Sequence, residues 1–202
     1  MTAAAAIQDM QPGLQSPVYD AQHIFRQVMD AMARPGRIVN VDSDVMPPVS
    51  GFDGLCAIAL TLLDFETPVF LPQDESGDAL AVWLGFHCGC PVTKDPQEAA
   101  FALLRSGDLA TLSAFNSGNP KYPDVSTTLL LACPALDGGK RVTLTGPGIK
   151  DKGQIAPAGL NDGFWKEVQA DRLRFQLGVD IILGADDTII GLPRTTRIEE
   201  ES

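Results

Sequence analysis

Two arginines flanking two threonines, in Leu192-Pro193-Arg194-Thr195-Thr196-Arg197, are the best prospect in this chain for holding an anion. Each guanidinium offers a planar fork that meets a phosphate or carboxylate at two points, and the Thr195 and Thr196 hydroxyls could add to it. The pair also follows the last strand-like segment, and ligands often approach an α/β sheet at strand ends. A Gly-rich turn, Thr145-Gly146-Pro147-Gly148-Ile149, leaves another strand-like segment, where phosphate loops sit. It fits neither phosphate-binding template. The dinucleotide fingerprint needs a third glycine opening a helix, and Gly153 comes too late. The P-loop needs Gly-Lys-Ser/Thr, whereas Gln154 follows Gly153. Pro147 also removes an amide that could cradle a phosphate. A tight strand-exit turn is the better reading, with Gly146 and Gly148 kept as anion-site candidates beside Arg194 and Arg197.

Asp64 and Glu66 are close enough in sequence for acid–base work or for Mg²⁺. The competing reading, which we favour, is structural: Asp64 caps locally and Glu66 bonds a loop amide or an arginine. His87-Cys88-Gly89-Cys90 invites a zinc reading, but structural sites use Cys-x2-Cys with a second ligand pair, and Cys56 and Cys133 stand alone in apolar segments. No metal is expected. A cysteine nucleophile would need His87 or His23 against a thiolate, and neither of the two histidines stands in a nucleophile elbow. The six lysines, Lys94, Lys121, Lys140, Lys150, Lys152 and Lys166, lie in polar contexts unlike the desolvated pocket a Schiff base requires. No cofactor is expected.

These residues must be positioned by a chain of 202 residues, a length that suggests one domain. Ser16-Pro17 reads as the start of a helix with Ile24, Phe25, Val28, Met29 and Met32 on one apolar face, stopped at Arg34-Pro35-Gly36. Residues 54–64 read as a buried helix, 67–71 as a strand, 77–87 as a helix with Leu80, Trp83, Leu84 and His87 on one face. Residues 96–105 read as a helix capped by Asp95; 37–41, 109–112, 126–133, 140–145, 179–183 and 188–192 as strands; and 164–173 as a helix. The fold class is α/β, a sheet of mixed strand direction covered by helices. Residues 1–15 read as a loose lead-in, 16–197 as the domain and 198–202 as an acidic tail. With 26 acidic and 15 basic residues the formal charge is −11, which repels nucleic acid and anionic lipid. Neither a signal-peptide pattern nor a spanning segment is visible, so the expected location is the cytoplasm, with reduced thiols.

Taken in order, several segments resemble one family. They are Phe25-Arg26-x-x-Met29-Asp30-Ala31-Met32-Ala33-Arg34-Pro35-Gly36, Leu62-Leu63-Asp64-x-Glu66-Thr67, Phe86-His87, Pro123-Asp124-x-x-Thr127-Thr128-Leu129, Thr145-Gly146-Pro147-Gly148-Ile149, Gly178-Val179-Asp180 and Leu192-Pro193-Arg194-Thr195-Thr196. The set resembles the PhnH family, a phosphonate-metabolism component of the bacterial carbon–phosphorus lyase system. The resemblance implies a homodimer whose fold is that of the large domain of pyridoxal-phosphate-dependent transferases, without the cofactor. It implies a core complex with the G, I and J subunits. With G, I and an ATP-binding partner, such a protein supports attack of a phosphonate on the ribose C1′ of ATP, giving a ribose 1-phosphonate 5-triphosphate and adenine. It brings no catalytic residue to any position here. Cys88 and Cys90 depart from the small or hydroxyl residues usual after Phe-His. Two functional classes follow: a non-catalytic scaffold subunit, or a small-molecule or nucleotide-binding enzyme with its own anion site at Arg194 and Arg197. The lack of a self-contained catalytic set in the sequence favours the scaffold.

Overall fold

In β4 (Phe101–Arg105), β5 (Thr128–Ala132) and β8 (Asp180–Ala185) nearly every side chain between the ends is buried. Such continuous apolar runs belong to a parallel sheet covered on both faces. In the computed structural model, which describes residues 10–161 and 163–200, these three strands are parallel neighbours, with Leu103 opposite Leu130 and Leu130 opposite Ile182. On one side β2 (Val69–Phe70) and β3 (Val92–Thr93) extend the parallel set. On the other, β9 (Thr188–Leu192) runs antiparallel to β8 and β1 (Ile38–Asn40) antiparallel to β9. The order is β1-β9-β8-β5-β4-β2-β3. A smaller antiparallel sheet, β10-β6-β7, is built from β6 (Val142–Thr145), β7 (Gly153–Ile155) and β10 (Arg197–Glu200).

Successive residues of the central strands feed two cores, as the two-residue period of a strand dictates. Leu103, Leu130, Ile182 and Ile189 pack under α1 (Pro17–Ala33), α2 (Asp53–Leu62) and α3 (Glu75–His87). Leu104, Leu129, Leu131, Ile181 and Leu183 face α4 (Phe164–Arg172) and the small sheet, meeting Trp165, Val168, Leu144 and Ile198. The sheet is therefore mixed and carries helices on both faces, as its sequence suggested.

Four local expectations are corrected. Residues 96–105 are not a helix: Phe101–Arg105 is β4, and Asp95 instead accepts the Gln97 amide at 2.9 Å in a turn. A short apolar run reads equally as helix or strand, and burial between β2 and β5 decides it. Residues 109–112 are not a strand, because Leu109 and Leu112 are both buried at a spacing of three and a 3-10 turn occupies Leu112–Ala114. The tail expected from residue 198 is instead part of β10, which buries Ile198 against β6; residues 201–202 lie outside the described residues. A single isoleucine among charges carries no readable alternation. Finally, the apolar face of α1 is split: Ile24, Val28 and Ala31 are buried, whereas Phe25 and Met29 point to solvent. Of the expected lead-in, residues 1–9 lie outside the described residues. Met10 and Leu14 pack against the helix-side core.

Candidate functional site

Because β9 is antiparallel to β8, the segment after Leu192 returns to the amino ends of β5 and β8. Arg194 lands there beside Asp180, the first residue of β8. Its backbone amide donates to Asp180 Oδ1 at 2.7 Å and its Nε lies 3.3 and 3.2 Å from the two carboxylate oxygens. Nη1 donates to the Pro123 carbonyl and Nη2 to the Ser126 hydroxyl, each at 2.6 Å. The two side chains of the ion pair are only 16% and 19% exposed. Arg194 thus ties the β9 exit to the segment leading into β5. In open α/β sheets ligands gather at the carboxyl rim of the parallel strands, and Arg194 stands at the amino rim, so its position at a strand end does not by itself mark a ligand site.

Arg194 nonetheless borders a cavity of about 410 Å³ shared with Arg172, Arg197, Gly146, Pro147 and Phe175. Gly146 has φ +133°, and a Cβ there would lie 2.9 Å from the Thr195 carbonyl, so the turn approaches the arginine segment only with glycine. Gly148 does not line the cavity. Its φ is +80°, and a Cβ would meet the Ala33 carbonyl at 2.1 Å, which makes it the contact between the turn and the end of α1. Arg197 is the first residue of β10, opposite Thr145; its side chain is exposed and makes no hydrogen bond or ion pair among the described residues.

Arg172, in the last turn of α4, is a site residue that the sequence reading missed. Its side chain is 5% exposed. Nη1 donates to Asp171 Oδ2 at 2.9 Å and to the Val179 carbonyl at 2.7 Å, and Nη2 to the Leu192 carbonyl at 3.1 Å. Its Nε is buried with no acceptor among the described residues. Burial opposes both charges, pushing the Asp171 carboxyl up and the Arg172 guanidinium down, while the pairing partly restores each. Asp180 further supports the Arg172 charge, and Arg194 opposes it. Nothing local in Ala170-Asp171-Arg172 distinguishes this arginine from an exposed helix-end cation.

The remaining candidates are dispersed. Asp64 accepts the Glu66 amide at 2.9 Å and the Thr67 hydroxyl at 2.5 Å, which hold its carboxyl below the usual range, the hydroxyl contributing most. Glu66 is exposed beside it. His87 Nε2 lies 3.0 Å from the Gln11 carbonyl, with its ring edge-on to Trp83 and Phe86. None of the three lines the arginine cavity. Cys88 donates to the Leu84 carbonyl at 3.2 Å; the adjacent Cys90 thiol pulls the Cys88 thiol down to about 7, and Cys90 is pushed up in return. Cys56 is buried, as is Cys133, which burial pushes up to about 11. Among the described residues no cluster of three or more His, Cys, Asp or Glu could hold a metal ion, and no helix is long and apolar enough to cross a membrane. All six lysines are exposed.

The family model for the bacterial phosphonate metabolism protein PhnH matches residues 12–199. The chain belongs to the PhnH family. A PhnH relative from Rhizobium meliloti (strain 1021), described as alpha-D-ribose 1-methylphosphonate 5-triphosphate synthase subunit PhnH, is 40% identical over 186 residues, covering 92% of this chain and 93% of its own. A protein of Stutzerimonas stutzeri described as putative C-P lyase subunit protein HtxG is 29% identical over 178 residues, 88% and 85% of the two chains. The PhnH match takes in both sheets, the arginine cavity and every candidate residue named above.

Proposed function

We propose that this chain is a subunit of the carbon–phosphorus lyase core complex in organic phosphonate catabolism. In this reading it supports the formation of ribose 1-phosphonate 5-triphosphate from ATP and a phosphonate, with adenine released, and acts as a non-catalytic scaffold. Membership of the PhnH family and the description of the 40%-identical relative as a synthase subunit support the assignment. The scaffold role rests on where the reactive side chains are engaged. Arg194 is held by Asp180, Pro123 and Ser126, Asp64 by Glu66 and Thr67, and His87 by Gln11. Displacing adenine from C1′ needs an acid for the leaving group and an oriented nucleophile together. Here Asp64 and His87 are occupied, and neither they nor Glu66 lines the arginine cavity.

The same reading makes the protein a cytoplasmic homodimer that joins the G, I and J subunits and an ATP-binding partner. It takes residue 16 through β10 as one unit with the architecture of the large domain of pyridoxal-phosphate-dependent transferases, without the cofactor. A seven-stranded sheet, parallel except at β9, is consistent with that architecture. Exposed Val18, Tyr19, Phe25 and Met29 on α1 give a self-complementary or partner interface apolar area to cover. A tagged chain co-expressed with the G, I and J subunits should elute with them as one assembly on gel filtration, and alone should scatter light as a dimer of its 21.5 kDa chain. Elution apart from all three subunits would refute the assignment.

A further inference from the structure

We propose that Cys88 and Cys90 are a thiol–disulfide exchange site, at which a small-molecule disulfide such as glutathione disulfide converts the pair to an internal Cys88–Cys90 bond. Cys88 is the C-cap of α3, and Gly89, at φ +68°, turns the chain so that Cys90 enters the core just ahead of β3. Cα atoms two residues apart can stand no more than about 7 Å from each other, and disulfides bridge roughly 4.4–6.8 Å, so the spacing suits a bond. The sulfurs are already engaged: the thiol and the backbone amide of Cys90 both hydrogen-bond the Cys88 sulfur. Cys56 and Cys133 are buried, and no other cysteine acts on either thiol among the described residues.

The two cysteines differ in the way that exchange requires. Cys88 is half-buried, whereas Cys90 is 5% exposed. Space at the turn is open, because a Cβ built on Gly85, one helical turn before Cys88, or on Gly89 would meet no other part of the protein within 4 Å. A small disulfide therefore reaches Cys88 first. The Cys90 contacts, the thiol foremost, pull the Cys88 thiol down to about 7 against burial and the Asp64 carboxylate, so a substantial share is thiolate at neutral pH. Cys90 is pushed up, chiefly by the same contact and then by burial, and keeps its proton. Once Cys88 is capped its charge is gone, and the main influence on Cys90 goes with it. An accessible thiolate beside a resolving cysteine is the arrangement that reversible oxidation selects.

The Cys88 thiolate attacks one sulfur of the oxidant, forming a mixed disulfide and expelling one small thiolate. Cys90 then gives its proton to solvent and attacks Cys88 Sγ, and the second small thiol leaves. Overall the protein gives up two electrons and two protons, and the oxidant is reduced to two thiols. Losing the Cys88 S–H strands no buried acceptor, because the Leu84 carbonyl that it serves also accepts the Cys88 and Gly89 amides at 2.9 and 3.1 Å. The site lies within one chain and does not depend on the subunit reading.

The test is incubation of the purified, reduced full-length chain with glutathione disulfide, followed by intact mass and by fragment-ion mapping of the peptide that carries Cys88 and Cys90. The chain should lose two hydrogens, the bond should map between Cys88 and Cys90, and dithiothreitol should reverse it. Cys90→Ser should stop at the mixed disulfide, with glutathione held on Cys88, and Cys88→Ser should react at least about tenfold more slowly than wild type. The wild-type linkage is read without either variant, so a variant that fails to fold does not blunt the test. Glutathione that persists on wild-type Cys88 overturns the proposal. So does a bond from Cys88 to Cys56, to Cys133 or to a second chain, or no oxidation at about 10 mM glutathione disulfide.

Discussion

Arg194 and Arg197 stand three residues apart and have opposite structural standing. Arg194 sits in a network with Asp180, Pro123 and Ser126, whereas Arg197 is exposed and unpaired among the described residues. Replacing Arg194 by alanine leaves the Asp180 carboxylate, 19% exposed, without its countercharge, and should cost about 2–4 kcal/mol. Arg197→Ala should change stability by no more than about 0.5 kcal/mol. Thermal melts of the two single variants check this; equal melting temperatures would contradict it. The sequence makes both residues conspicuous because they share one motif, but it cannot separate them. That separation depends on Asp180 and Ser126, which the antiparallel turn of β9 brings alongside. Arg172 is invisible in the sequence for the same reason: its buried surroundings come from β8 and the β9 exit, not from its neighbours in the chain.

At the scale of elements, two local devices hold the helices and turns that frame the cavity and core. Asp74 caps α3, accepting the Ser76 and Gly77 amides at 3.0 and 3.1 Å and the Ser76 hydroxyl at 2.6 Å. The hydroxyl first, and then the Gly77 amide, hold its carboxyl below its ordinary value of 3.8. A depressed carboxyl stabilises the fold above its unfolded pKa and loses that contribution as pH falls through the folded value. Asp74→Ala should therefore melt about 3 °C below wild type at pH 6, with the gap closing below pH 3.8. A gap that persists to lower pH would rule out the ionised cap as its source. Gly148→Ala should be severe, about 2–4 kcal/mol, because the new methyl meets the Ala33 carbonyl and the backbone has positive φ. Normal melting of that variant would mean the turn does not rest on α1. Long periodic or strongly apolar segments are legible from sequence, as with α1, α2, α3, β5 and β8. What is not legible are β4, whose Phe101–Leu104 run fits either period, and β3, β7 and β10, which are too short or too polar to alternate visibly.

As a whole molecule the protein is an acidic, helix-covered sheet with three arginines gathered at one cavity on the amino rim. A net charge of −11 opposes capture of two polyanions, ATP and a phosphonate, unless partners supply compensating field. Asp64, Glu66 and His87 do not line the arginine cavity, so on the proposed reading adenine displacement is assembled with partner subunits. The decisive measurement is adenine release from ATP and methylphosphonate, followed by chromatography, in mixtures of purified G and I subunits and the ATP-binding partner with and without this chain, and by this chain alone. Release should occur only in the complete mixture. Adenine produced at a catalytic rate by the isolated chain, or undiminished release when it is omitted, would contradict it.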